Sequence, residues 1–144
     1  MRKIKYLTFF IAVLIGLSCA SNKKINDMKH FINEAVRCTE EFIIQISESV
    51  NENDAVFTIE TFTKSIIMLE EKSSVIKKKY PDIDLWFDEP PAELENELDK
   101  LHIAEKKFKD ALKTDKVREL RKDSKVQSAF MNLINELEKI KFFQ

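Results

Sequence analysis

The sequence predicts an all-α protein, an antiparallel up-down four-helix bundle, on three observations. Apolar residues recur at alternating steps of three and four along four separate segments, the spacing of a single helix face. Turn formers are scarce: the 144 residues hold one Gly and three Pro, which disfavours sandwiches, barrels and Gly-rich loops. A balance of 44% hydrophobic and 34% charged residues suits a packed core with solvated faces rather than a disordered chain. Short connections between the segments favour antiparallel neighbours. The structural alternative is three long helices, with the third and fourth segments merged.

The first segment carries Ile25, Met28, Ile32, Ala35, Thr39, Phe42 and Ile46, with Phe31, Cys38 and Ile43 widening the stripe. "NEND", Asn51 to Asp54, interrupts it, and Asn53 or Asp54 is expected to cap the next helix. The second segment reads Ile59, Phe62, Ile66, Leu69, Ser73 and Ile76, with Val56 and Met68 expected as supports. Lys77, Lys78 and Lys79 suit the negative end of its dipole, and Pro81 blocks continuation. Each of these two helices is expected to run about 25 residues, roughly 37 Å.

The third segment starts near Pro91, a residue suited to a first helical turn. Its face is Leu94, Leu98, Leu101, Ala104 or Glu105, Phe108, Ala111 and Leu112, with a pause expected near Thr114 and Asp115 and a short continuation through Val117 and Leu120. In "DSKVQ" the pair Ser124 and Gln127 matches a capping box, with Asp123 the alternative cap. The fourth segment follows with Val126, Ala129, Phe130, Leu133, Ile134, Leu137 and Ile140.

The N-terminus obeys other rules. Arg2, Lys3 and Lys5 precede an uncharged run from Tyr6 to Leu17, and small residues Ser18 to Ser21 follow. The run is about 12 residues, shorter than the ~20 a membrane-spanning helix needs, and the layout is that of a secretory signal peptide. "IGLSCASN", Ile15 to Asn22, resembles the lipobox of bacterial lipoproteins, where a small residue precedes a cysteine after an apolar run. Gly16 stands at −3, where that family usually has Leu, and Leu17 stands at −2. The resemblance implies cleavage before Cys19, diacylation of its sulfur and commonly acylation of the new N-terminus. Two acyl chains hold a protein stably where one gives marginal binding.

On this reading residues 1–18 are a lipoprotein signal peptide, 19–24 a lipidated tether and 25–144 the helical domain. The membrane is a partner through acylated Cys19, and the expected location is the extracytoplasmic face of the bacterial cell envelope. Ala20 at +2, where Asp retains many such proteins in the inner membrane of enteric bacteria, points to the outer membrane in a Gram-negative host. Two other outcomes compete: cleavage after Ala20 by the general signal peptidase, and an uncleaved anchor. With Cys19 acylated, Cys38 is left alone as a buried thiol; a Cys19–Cys38 disulfide is the competing state.

Several chemistries are excluded or left without a signal. A formal net charge of −1 does not suggest a nucleic-acid binder. Gly16 is the only glycine, so the Gly-rich phosphate loops of nucleotide binders and the nucleophile elbow cannot form beyond the leader. No C-x-x-C-H haem attachment is present, and haem ligation by Met28 or Met68 with His102 competes with ordinary core methionine. No cofactor is expected. No carboxylate, serine or histidine spacing singles out a catalytic group, so the expected role is non-enzymatic.

Two candidate sites remain. Asp27 with His30, and Asp99 with His102, are i, i+3 pairs that share a helix face. Dimetal bundles place Glu-x-x-His pairs inward from two helices, so these four residues are the weak candidates for a metal or small-ligand site; exposed polar pairs are the ordinary explanation. The segment Tyr80 to Pro91 gathers Tyr80, Trp86 and Phe87 among four acids. It reads either as a lid on one end of the bundle or as an aromatic contact with an acidic rim for an envelope protein partner.

Overall fold

The structure is a computed structural model that describes residues 22–81 and 91–139. Every regular element among them is helical. Helix α1 spans Asn22–Glu48, α2 Glu52–Lys79, α3 Glu95–Ala111, α4 Asp115–Leu120 and α5 Ser124–Lys139. A 3-10 turn, Ala92–Leu94, leads into α3.

The apolar stripes meet as their spacing dictates. All seven residues of the first seam, Ile25 through Ile46, are buried. Ile59, Phe62, Ile66, Leu69 and Ser73 are buried on α2, and Ile76 packs against the core. Met68 departs from expectation: it is 51% exposed. It lies outside the narrow arc of α2 that α1 and α5 cover.

Helix α1 is the hub, packed on both α2 and α3, while α5 packs on α2. Lys79 reaches Asp27 and Lys72 reaches Glu34, so α1 and α2 run antiparallel. Lys29 faces Glu97 and Lys107 faces Glu40, so α3 runs parallel to α1. Three phenylalanines lock these helices together: Phe42 and Phe62 stack at 4.5 Å between centroids, and Phe108 lies 5.2 and 5.7 Å from them. Such pairs each add about 0.5–1.5 kcal/mol beyond area burial.

The caps correct the sequence reading at α2 and select its alternative, Asp123, at α5. Asn51, not Asn53 or Asp54, caps α2: the Asp54 N–H donates to Asn51 Oδ1 at 3.0 Å. Asp54 instead accepts from the Val50 N–H at 3.2 Å. The two contacts form a reciprocal clasp on the three-residue connection. At α5 the cap is Asp123: its Oδ1 accepts from the N–H groups of Lys125 and Val126 at 2.8 and 3.1 Å. Ser124 is already helical.

The pause near Thr114 is real. Thr114 caps α4 by accepting from the Val117 N–H at 3.4 Å. The Lys116 ammonium then donates to the Ser47 carbonyl, satisfying a C-terminal carbonyl of α1 that the helix leaves free. The break at Arg121–Asp123 keeps the third and fourth apolar segments apart, so the merged helix does not form. Pro91 stands just before the 3-10 turn, and its carbonyl accepts from the Leu94 N–H at 2.8 Å.

Candidate functional site

The most organised polar cluster joins the start of α1 to the end of α2. Pro81 cannot continue the helix, and Tyr80 takes the C-cap, its N–H donating to the Ile76 carbonyl at 2.9 Å. That turns the phenol back toward α1. The Tyr80 hydroxyl donates to Asp27 Oδ2 at 2.7 Å, and the Lys79 ammonium donates to the same oxygen at 2.5 Å. Lys79 Nζ is also 5.1 Å from the Tyr80 ring centroid, and Lys24 Nζ is 5.8 Å from it, both within cation–π range.

The charges respond accordingly. The Lys79 hydrogen bond, then that of Tyr80, holds the Asp27 carboxyl below the usual carboxylate range. The Asp27 hydrogen bond raises Lys79. The same carboxylate, and then burial, raises the Tyr80 phenol.

Above this cluster a groove of about 520 Å³ runs between α1 and α2. Phe31, Val75 and Ile76 give it an apolar floor; Asp27, His30, Glu34, Glu71 and Lys72 form its rim. The Lys72–Glu34 bridge crosses it at 2.5 Å. Its size is that of a small-molecule site. Val75, 63% exposed, was not part of any predicted seam. An apolar residue one position off a seam is the signal that could have marked it.

The predicted site residues scatter. His30 is exposed on the groove rim, and His102 is exposed on α3. Asp27 is committed to Lys79 and Tyr80, and Asp99 is exposed. Among the described residues no three His, Cys, Asp or Glu side chains gather to hold a metal ion. Tyr80 is half-buried, with part of its ring packed against the core. Trp86, Phe87 and Cys19 lie outside the described residues. Cys38 is a buried free thiol, and burial pushes its pKa up.

Helix α3 carries two acids that sequence reasoning did not single out as titratable groups. Glu97 and Glu105 are both buried, and Glu97 Oε2 and Glu105 Oε1 have no hydrogen-bond partner. Glu97 has Lys29 at 4.0 Å. Burial pushes Glu105 to about 7, opposed only by the charge of Lys109. The ambiguity between Ala104 and Glu105 in the third stripe was the signal: both positions face inward.

Comparison with protein-family models, with curated proteins and with solved structures gave no match.

Proposed function

We propose that the protein is a small lipoprotein of the bacterial cell envelope, anchored through acylated Cys19, whose helical domain serves as a protein-interaction module on an extracytoplasmic membrane face. The observation that carries this reading is the N-terminal layout: three cations, an uncharged run, Ser18 and then Cys19. The four long helices close as an up-down bundle in this proposal, with α5 returning along α2. The domain acts by binding rather than catalysis, and Tyr80, Trp86 and Phe87 belong to its contact surface.

Intact mass of membrane-fraction protein, wild type against Cys19→Ser, tests the anchor. A mature chain starting at Cys19 and carrying acyl mass, lost in the variant, is the expected result. A chain starting at Ser21 without lipid overturns it. For the contact surface, Trp86→Ala should weaken recovery of an envelope partner while helicity is retained; unchanged recovery removes the loop from the site.

The groove favours a second reading, an extracytoplasmic binder of a small apolar ligand. Nile red should then fluoresce with the wild type and lose most of that signal with Val75→Lys. No uptake by the wild type removes this reading.

A further inference from the structure

We propose that α3 is a pH-released element: it is held closed on α1 in acid and opens as a unit toward neutral pH, with Glu105 as the trigger, while α1, α2 and α5 stay packed. Among the described residues, the buried side-chain oxygens without a hydrogen-bond partner are Glu97 Oε2 and Glu105 Oε1. Both belong to α3. Glu97 Oε2 has Lys29 Nζ at 4.0 Å, beyond hydrogen-bond reach. Glu105 lies on the buried stripe of α3, with Leu101 a turn before it and Phe108 a turn after. A carboxyl in such a place is tolerated while it holds its proton and is costly once ionised.

The helix that carries this cost is also the one most easily parted from the rest. Helix α3 packs on α1 and on the 3-10 turn before it, whereas α2 is held by α1 and α5 together. Its reach to α2 is Phe108, 5.7 Å from Phe62. Irregular backbone bounds it on both sides, the 3-10 turn at Ala92–Leu94 and residues 112–114. Beyond the second break, Lys116 fastens α4 to the Ser47 carbonyl. Opening α3 therefore gives up one long helix interface and leaves the Phe42–Phe62 stack and the α2–α5 contact in place. Sub-global openings are drawn from elements held this way.

No neighbouring charge takes over the role of Glu105. The α1 charges that meet α3 are engaged, Lys29 facing Glu97 and Glu40 lying 3.6 Å from Lys107. Arg37 on α1, Glu93 on the 3-10 turn, and His102 and Lys106 on α3 are exposed. On α5, Lys125 and Glu138 are exposed and Glu136 is half-buried. Lys109 alone opposes the effect of burial, which raises Glu105 from 4.5 to about 7. In the opened helix the carboxyl returns to its ordinary range, so opening releases a proton at pH values between the two. The open population is thus lowest below about 4.5, grows by up to about tenfold per pH unit, and levels off above about 7.

Hydrogen exchange read by mass spectrometry on the full chain tests this, with rates converted to protection factors so that the intrinsic pH dependence of exchange is removed. At pH 7.5 the slowest amides of α3 should be protected on the order of tenfold less than the slowest amides of α1 and α2. From pH 5 to 7.5 the α3 protection should fall on the order of tenfold or more in the wild type, and much less in Glu105→Gln. Equal protection of α1, α2 and α3 at pH 7.5 overturns the proposal in favour of global unfolding. The same fall in Glu105→Gln as in the wild type, or no fall in the wild type, removes Glu105 as the trigger and overturns it as well. Glu105→Leu repeats the comparison if the Gln variant loses its helical circular dichroism.

Discussion

Glu105 is the residue most at odds with its surroundings. It is 5% exposed, one of its oxygens has no partner, and it titrates near 7. Its folded-state pKa lies above the ordinary 4.5, so the stability it contributes is complete below about 4.5 and is lost as pH rises to about 7. Glu105→Leu should therefore gain about 1–3 kcal/mol at pH 8 and progressively less on acidification, measured by urea unfolding across pH. Equal gains at pH 4 and 8 would show that the carboxylate is not the cause. Asp27 behaves in the opposite sense. Its pKa is depressed, so its contribution is present above the ordinary value near 4 and disappears as pH falls through the lowered one. The melting temperature of Asp27→Asn should lie a few degrees below wild type at pH 7, with the gap closing in stronger acid. A constant gap would trace the loss to packing instead.

At the scale of elements, the stripes were legible because each long helix buries one face and the spacing records it. Two kinds of feature were not. Caps depend on which side chain the backbone turns toward an open N–H. "NEND" and "DSKVQ" each offer several chemically equivalent residues within one turn, and Asn51 and Asp123 are selected by chain direction. Asp123→Ala should thus destabilise by about 0.5–2 kcal/mol, while Ser124→Ala should have little effect; the reverse order in thermal melts would restore the capping-box reading. Exposure within a stripe was equally opaque. Met68 fits the period loosely and is outside, whereas Phe62 fits it closely and is inside. Phe62→Ala breaks the contact of α1, α2 and α3 and should cost about 3–5 kcal/mol. Phe57→Ser, 69% exposed on the same helix, should stay within about 0.5 kcal/mol. Comparable losses from both would mean that the exposed face of α2 is covered in solution.

For the molecule as a whole, the helical class followed from what the chain lacks in turn formers and from the four apolar stripes it carries. The groove was not legible, because it is shared by two helices. Glu71, Lys72 and Val75 read as ordinary solvated positions until Glu34 and Phe31 lie opposite them. Pairing across helices leaves no periodic trace in either one.

The three-residue link Ser49–Asn51, clasped by Asp54 and Asn51, also bears on how fast the chain folds and in what order. Helices of 27 and 28 residues joined so briefly can zip from the turn outward, with little loop entropy lost before contacts form. All residues needed for this hairpin precede α3, so it can be assembled while the remaining chain is still emerging. Its transition state should accordingly be formed around α1 and α2. In chevron analysis, Asn51→Ala should slow refolding, while Leu133→Ala on α5 should chiefly speed unfolding.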